Sequence, residues 1–365
     1  MFYYFTQLRD FFFVFNIFKY ITFRATMAAV TSFFICILAA PVVTRMFQQW
    51  RIREHARRQD CPGLASFHDQ KEGIPTMGGI FIMGSIVVSV LLWADIGNRY
   101  IVLSLLTAVY LAVLGFVDDY VKLTKPGRHG IRARTKLLWQ VLLGCFIGSY
   151  VFFNPDTTPH FATQLDVPFL KDMVVRLGWL YVPFIALVVI GTSNAVNLTD
   201  GLDGLAIGCV LIVSGTLAVL CYITGNVNFS QYLFVPYVAN AGELTVFCSA
   251  IVGASMGFLW FNCHPATIFM GDTGSLSLGG CLGVIAVFIK KELWLILLGG
   301  IFVAEALSVI LQVLSFKMTG KRIFKMSPLH HHFQLSGWHE SKIITRFWIV
   351  GIIFSLMTLA LLKIR

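Results

Sequence analysis

Charged residues are scarce in this 365-residue chain, and the acidic ones are the fewest. Asp, Glu, Lys and Arg together make up 13% of the residues, and Asp and Glu number only 18. About a quarter of the residues of a soluble domain are charged and about half are apolar, whereas here 57% are hydrophobic. This balance excludes an ordinary soluble domain and indicates a protein that folds in lipid.

The eight cysteines form no C-x-x-C pair and lie scattered, mostly within apolar runs. We interpret them as small buried hydrophobic residues, and we expect no structural zinc site. We also expect no cleavable signal peptide, because Asp10 and Lys19 bracket a short apolar run that no small-residue cleavage site follows.

The apolar runs have the length of membrane-crossing helices. A crossing helix needs about 20 mostly apolar residues, and continuous runs favour helices over the alternating strands of a barrel. We therefore predict an all-α polytopic membrane protein with about ten transmembrane helices, forming one membrane domain over residues 1–365. The predicted spans are Ala25–Met46, Met77–Trp93, Ile101–Val121, Leu137–Phe153, Leu177–Gly191, Leu205–Thr224, Glu243–Phe261, Ser275–Ile289, Leu293–Leu314 and Ile344–Leu362.

Lys and Arg concentrate in the loops after the first, third and ninth spans. By the positive-inside rule these loops are cytoplasmic, which places both termini outside the cytoplasm. Lys290 and Lys291, after the eighth span, go against this trend. The net charge of +10 is explained by orientation and by anionic lipid headgroups, so we expect a lipid bilayer as partner and no nucleic acid.

The few aspartates collect in three places. Asp118 and Asp119 end the third predicted span, Asp200 and Asp203 lead into the sixth, and Asp272 leads into the eighth. In the predicted topology all three places reach the cytoplasmic face. Carboxylates near lipid are costly unless they face water or cations, and Mg²⁺ prefers oxygen ligands and leaves positions for substrate phosphates. The pattern predicts a site for Mg²⁺ and phosphate groups at that face.

Structural explanations exist for single members of this set. Asp200 or Asp272 could cap the N-terminus of the helix that follows, where a carboxylate accepts backbone N–H bonds. Asp118 and Asp119 stand at a helix C-terminus, where the helix dipole disfavours negative charge. A functional reason is therefore strongest for Asp118 and Asp119.

Three histidines, His330, His331 and His332, follow Pro328-Leu329 in the last predicted cytoplasmic loop. They could be a solvated loop, a transition-metal site, or a recognition element for phosphate or nucleotide, since imidazole exchanges protons near neutral pH. Glu305 and Gln312 lie seven residues apart on one face of the ninth span. A Glu within a span is functional by default, either at a polar kink or facing the active cavity.

The motifs resemble, in the same order and over nearly the whole chain, those of the phospho-N-acetylmuramoyl-pentapeptide-transferase family, a branch of the polyprenyl-phosphate N-acetylhexosamine-1-phosphate transferases. The triple histidine after Pro-Leu separates this branch from relatives that make O-antigen or teichoic-acid lipids. The motifs are Pro75-Thr76-Met77-Gly78-Gly79, Phe116-Val117-Asp118-Asp119, Asn194-Ala195-Val196-Asn197-Leu198-Thr199-Asp200-Gly201-Leu202-Asp203-Gly204, Phe269-Met270-Gly271-Asp272 and Pro328-Leu329-His330-His331-His332-Phe333.

The resemblance implies a Mg²⁺-dependent enzyme of the bacterial inner (cytoplasmic) membrane, with its active site on the cytoplasmic side. It would transfer phospho-N-acetylmuramoyl-pentapeptide from UDP-N-acetylmuramoyl-pentapeptide to undecaprenyl phosphate, giving lipid I and UMP, and form a homodimer. Asp118, Asp119, Asp272 and His330 match the catalytic positions, and Asp272 also matches the metal ligand. The substrate-binding positions matched are Lys71, Thr76, Lys122, Lys136, Asn197, Asp200, Asn262, Phe269, Gln312, His331 and His332.

One position departs from the family pattern, in which an aromatic residue and Glu follow the histidines; here Phe333 is followed by Gln334. Two other functions remain open on the residues alone. A sister transferase would use UDP-N-acetylglucosamine. A cation-coupled transporter would use intramembrane carboxylates, but such sites lie near the middle of the membrane, whereas these aspartates cluster at one face.

Overall fold

A computed structural model describes residues 1–8, 13–49, 73–124, 130–154, 163–168 and 174–363. Lys71, predicted to bind substrate, lies outside the described residues. The structure is 77% helical with almost no sheet, which confirms the all-α prediction. Its helices are α1 Ile21–Gln49, α2 Gly79–Trp93, α3 Arg99–Thr124, α4 Ala133–Phe153, α5 Tyr181–Thr199, α6 Leu205–Thr224, α7 Val227–Tyr232, α8 Leu244–Asn262, α9 Gly271–Phe288, α10 Trp294–Leu298, α11 Gly300–Thr319, α12 Leu329–Gln334 and α13 Glu340–Leu361.

Among the described residues, nine helical segments are long and apolar enough to cross a membrane. Helix α2 is the tenth apolar helix, with 15 residues. At about 1.5 Å per residue it is shorter than the roughly 30 Å of a bilayer core. The segment that leads into α2 is extended and pairs with the segment that leads into α9. Pro75 O accepts a hydrogen bond from Phe269 N at 2.9 Å, and Phe269 O accepts one from Gly78 N at 2.8 Å. Nine segments of full span length and one shorter apolar helix among the described residues are consistent with the prediction of about ten transmembrane helices.

Helix α9 forms the centre of the bundle. Every residue from Thr273 to Phe288 is buried, and α9 packs chiefly against α3 and α5, with α2 and α6 beside it. Gly279 allows the close approach to α5, because a Cβ there would lie 2.5 Å from the carbonyl oxygen of Thr192. Small residues commonly permit such contacts between helices in membranes. The N-terminus of α9 is therefore held rigidly by its neighbours.

Consecutive long helices alternate in direction. As a result α3, α5, α8 and α11 end at the same end of the bundle at which α2, α4, α6, α9 and α13 begin. The three aspartate clusters lie at this end, as predicted. We refer to it as the site end.

Several predicted boundaries need correction, and α1, α4 and α13 each begin four residues before the predicted start. Helix α5 continues to Thr199 rather than ending at Gly191, because its last polar residues have partners inside the bundle; Asn194 Nδ2 donates to Gln140 Oε1 at 2.8 Å. Helix α9 begins at Gly271, four residues before the predicted Ser275. The predicted span Leu293–Leu314 is divided at Gly299 into α10 and α11, since glycine is a poor helix former, and α11 continues to Thr319.

The opposite end of the bundle holds the two lysines that go against the charge trend. Two short antiparallel strands, β1 Gln164–Asp166 and β2 Val174–Arg176, lie there, and Asp166 forms a buried ion pair with Lys291. Lys290 Nζ donates to Tyr181 Oη at 2.6 Å, and burial lowers the pKa of Lys290 to about 8. Both lysines are buried, so they are not loop charges that face headgroups.

Candidate active site

Three carboxylates converge at the site end, from two adjacent helices. Asp118 and Asp119 lie near the C-terminus of α3 and are 3% and 5% exposed, and Asp272 lies in the first turn of α9. One oxygen from each carboxylate can be chosen so that all three lie within 4.8 Å of one another. The structure therefore brings together three of the four residues predicted to be catalytic. We call this group the carboxylate cluster.

Asp119 caps the N-terminus of α9. Its Oδ1 accepts a hydrogen bond from Asp272 N at 3.1 Å, and its Oδ2 accepts from Thr273 N at 3.0 Å and from Thr273 Oγ1 at 2.8 Å. The positive end of the α9 dipole thus offsets the unfavourable position of this carboxylate at the end of α3. The alternative that Asp272 caps its own helix is wrong, because the side chain of Asp119 accepts from these N–H groups.

Two lysines neutralise most of the cluster's charge. Lys122 Nζ lies 2.6 Å from Asp118 Oδ2 and 3.0 Å from Asp272 Oδ1. Lys136 Nζ, from the first turn of α4, lies 2.7 Å from Asp272 Oδ2. Both lysines were predicted to line the substrate pocket, and the structure places both in direct contact with Asp272.

The backbones of α3 and α9 touch beside the cluster. A Cβ on Gly115 would lie 2.3 Å from the carbonyl oxygen of Asp272, so only glycine permits this approach. Asp118 is fixed from the other side, where Ile131 N donates to its Oδ1 at 2.7 Å. The cluster is thus defined by backbone contacts as well as by its own side chains.

The polar end of α5 lies beside the second turn of α9. Asn197 Nδ2 donates to Ser275 Oγ at 2.9 Å. Asp200 follows the last residue of α5, and α6 begins only at Leu205, after Gly204 in a left-handed conformation. The alternative that Asp200 caps the sixth span is therefore wrong.

The half-buried residues Thr76 and Phe269 belong to the two extended segments that pair beside the cluster. These segments lead into α2 and α9, respectively, at the site end. The structure thus places these two predicted pocket residues next to the start of α9, on the side of α2.

Asn262 and Gln312, both predicted to bind substrate, use their amides within the protein. Asn262 Oδ1 accepts from Gly204 N at 3.0 Å, and its Nδ2 donates to Ile268 O at 2.8 Å. Gln312 Oε1 accepts from Phe324 N at 2.9 Å, and its Nε2 donates to Phe324 O at 2.9 Å. Both residues hold loops at the site end in place.

His330 is completely buried against Glu305. Its Nδ1 lies 3.2 Å from Glu305 Oε2, and its backbone N–H donates to Glu305 Oε1 at 3.2 Å. On the other side a Cβ on Gly201 would lie 2.3 Å from His330 Nε2. The interpretation of His330 as part of a solvated loop is therefore wrong. Glu305, within the predicted ninth span, holds the His330 ring and backbone in place. Through Gly201 the imidazole contacts the loop that begins at Asp200.

The other two histidines have different partners. His331 Nδ1 lies 2.7 Å from Gln334 Oε1, and His332 Nδ1 accepts from Lys325 N at 3.1 Å. The three Nδ1 atoms thus face three separate groups, which argues against one transition-metal site made of three imidazoles. Gln334, where the resemblance implies Glu, is buried, and its Oε1 is the atom that His331 Nδ1 faces.

A second set of polar side chains supports the loop at residues 200–204. Asp203 Oδ2 lies 3.2 Å from His264 Nδ1 and accepts from Ala266 N at 3.1 Å, and Asp203 N donates to Glu340 Oε1 at 3.0 Å. His264 and Glu340 were not among the predicted site residues. Their link to Asp203 joins positions 61 and 137 residues apart. No local motif marks such a link.

Comparison with known proteins finds relatives over nearly the whole chain. Residues 101–290 match the family model described as glycosyl transferase family 4. The chain is 51% identical over 352 residues to a protein of Geobacter sp. (strain M21), and 48% identical over 354 residues to one of Methylacidiphilum infernorum (isolate V4), with 96% of both chains covered in each case. It is 50% identical over 360 residues to a protein of Thermodesulfovibrio yellowstonii, with 98% of both chains covered. Each of these relatives is named phospho-N-acetylmuramoyl-pentapeptide-transferase.

Proposed function

The chain belongs to the phospho-N-acetylmuramoyl-pentapeptide-transferases, and from this premise we propose that it makes lipid I. It would transfer phospho-N-acetylmuramoyl-pentapeptide from its UDP carrier to undecaprenyl phosphate and release UMP. This is the first membrane step of peptidoglycan synthesis. The observation that carries the proposal is the carboxylate cluster with its two lysines at one end of a membrane-spanning bundle.

Phosphoryl transfer needs little covalent help from a protein, because catalysis rests on positioning and on neutralising charge. Both substrates are anionic and repel each other. Lys122 and Lys136 supply two ammonium groups within 3.0 Å of Asp272. Ammonium groups so placed can bind phosphate oxygens beside the carboxylate cluster.

The donor set fits Mg²⁺, which prefers carboxylate oxygens and keeps positions for phosphates. Asp272 is the best candidate ligand, because its carboxylate contacts lysine side chains rather than backbone N–H groups. Asp118 offers a second oxygen nearby, whereas both oxygens of Asp119 accept hydrogen bonds from α9. Bound Mg²⁺ would neutralise the diphosphate and orient it for in-line attack.

In the proposed reaction a phosphate oxygen of undecaprenyl phosphate attacks the phosphorus that carries the sugar. The new P–O bond forms as the bond to UMP breaks, and UMP takes the electron pair. Asp118 is the candidate general base, but the attacking phosphate is already ionised near neutral pH and therefore needs positioning more than deprotonation. A two-step path with an aspartate as covalent nucleophile is the alternative mechanism.

An apolar cavity of about 250 Å³ offers a place for part of the polyprenyl chain. Its walls include Gly191 and Ala195 of α5, Leu282 of α9 and Ala306 of α11. Two of these residues lie close in sequence to the site: Ala195 precedes Asn197 by two residues, and Ala306 follows Glu305. A lipid chain bound here would keep its phosphate near the end of α5.

The chain is a multi-pass membrane protein. We propose that it lies in the bacterial inner (cytoplasmic) membrane with the site end in the cytoplasm. The basic residues Arg132, Arg134, Lys317 and Lys321 support this orientation, because they lie in or beside loops at the site end. The homodimer and the roles of Lys71, Thr76, Phe269, His331 and His332 in binding UDP-N-acetylmuramoyl-pentapeptide stay predictions.

A substrate assay tests the reaction. The purified chain in detergent receives undecaprenyl phosphate, Mg²⁺ and one UDP-sugar, and released UMP is measured. We expect UMP with UDP-N-acetylmuramoyl-pentapeptide and none with UDP-N-acetylglucosamine. UMP release with UDP-N-acetylglucosamine alone would support the sister transferase, and no release with either sugar would refute the proposed function.

A further inference from the structure

Lys122 contacts all three carboxylates of the cluster. Its Nζ lies 2.6 Å from Asp118 Oδ2, 3.0 Å from Asp272 Oδ1 and 3.8 Å from Asp119 Oδ1. Lys136 differs, since it reaches Asp272 through Oδ2 at 2.7 Å and Asp118 only at 4.0 Å. The ammonium of Lys122 thus holds the position among the carboxylates that a bound cation would also favour.

A divalent ion on Asp272 would compete with this ammonium. Mg²⁺ lies about 2.0–2.1 Å from its oxygen ligands, so an ion bound to Asp272 Oδ1 would sit next to the Lys122 ammonium. Two cations at such a distance repel strongly in a partly buried site. Lys122 is able to leave, because it lies in the last turn of α3 and its side chain is 25% exposed.

We propose, on the basis of the function proposed above, that the Lys122 ammonium neutralises Asp118 and Asp272 until a divalent ion displaces it from them. The freed ammonium then binds a phosphate group of the substrate. Lys122 would keep the three carboxylates together before the metal binds. When the metal binds, Lys122 loses its contacts with the carboxylates, and the phosphate of a bound nucleotide gives it a new anionic partner. Binding of the metal and of the nucleotide would then strengthen each other, as thermodynamic linkage requires.

Mn²⁺ serves as the probe, because its free ion gives an electron paramagnetic resonance signal that is lost on binding. The full chain in detergent is titrated as wild type, Lys122→Met, Lys122→Gln and Lys317→Met. Lys317 is the matched control, since it is an exposed lysine in the last turn of α11 at the same end of the bundle. Asp272→Asn identifies the titrated site.

We expect both Lys122 variants to bind Mn²⁺ at least about tenfold more tightly than wild type, because a unit positive charge is removed beside the ion. Lys317→Met should stay within about twofold. Saturating UMP should tighten Mn²⁺ binding in the wild type more than in Lys122→Met. Unchanged or weaker Mn²⁺ binding by both Lys122 variants, or equal enhancement by UMP, would overturn the displacement model while leaving the metal site intact. Absence of Mn²⁺ binding by the wild type would instead refute the proposed metal site.

Discussion

Replacing Gly115 with alanine should separate the two helices that carry the carboxylate cluster. The added Cβ would lie 2.3 Å from the carbonyl oxygen of Asp272 and 2.6 Å from Thr273 Cα. Both contacts are with backbone atoms, so no change of rotamer relieves them. Ordinary van der Waals contact begins at 3.4 Å, so α3 and α9 must move apart by about 1 Å.

This movement acts directly on the reacting groups. Asp118 and Asp119 would move with α3 while Asp272 stays on α9, and the hydrogen bonds of 3.0 and 3.1 Å from α9 to Asp119 would lengthen beyond useful range. A misplacement of about 1 Å can cost about 100-fold in rate. Overpacking a buried contact should also lower stability by about 1–3 kcal/mol.

The assay compares kcat for UMP release and the midpoint of thermal unfolding in Gly115→Ala and Gly84→Ala. Gly84 is the matched control, because it lies within α2 and a Cβ there would meet no atom within 4 Å. We expect kcat to fall about 100-fold in Gly115→Ala and to stay near the wild-type value in Gly84→Ala. If Gly115→Ala kept at least a third of the wild-type kcat and its thermal midpoint, the close contact would not control the cluster.

Three further predictions follow from individual contacts. Asp119→Ala should lower the free energy of unfolding by about 1–2 kcal/mol through loss of the cap on α9, measured by thermal unfolding, and an unchanged midpoint would contradict the capping role. Glu305→Ala leaves the backbone N–H of His330 without its acceptor and should lower the free energy of unfolding by about 1–3 kcal/mol. Glu305→Gln keeps an acceptor oxygen and should recover most of this loss. Equal losses in the two variants would argue against the hydrogen bond. Gly191→Trp should fill the apolar cavity and raise KM for undecaprenyl phosphate at least about tenfold without changing KM for the nucleotide. Gly84→Trp, on the exposed face of α2, is the control, and the same effect there would rule out a specific lipid site.

Hydropathy predicted the spans well where a helix consists of apolar residues throughout. It failed at the ends of α5 and α9, where the helices include polar turns. Asn197 of α5 is satisfied by Ser275 of α9, 78 residues away. Such a partner makes a polar turn stable inside the bundle, but nothing in the local sequence reveals it.

The carboxylate cluster was also predictable, because alternating spans must bring their ends to one face. The division of roles within it was not. Asp119 caps a helix that begins 152 residues later in the chain, and Gln312 holds a loop rather than facing the cluster. Motifs identify which residues meet, whereas the hydrogen bonds that assign their roles depend on three-dimensional packing.

We infer that the carboxylate cluster is the reaction centre, and the variant Asp272→Asn removes one of its three carboxylates. The substitution is nearly isosteric but removes the charge that would hold the metal. Asp95→Asn is the control, because Asp95 lies just beyond the C-terminus of α2 at the opposite end of the bundle. With both variants folded as judged by thermal unfolding, kcat for UMP release should fall about 1,000-fold or more in Asp272→Asn and remain near wild type in Asp95→Asn. Turnover by Asp272→Asn within about tenfold of wild type at ordinary Mg²⁺ would show that the carboxylate cluster is not the reaction centre.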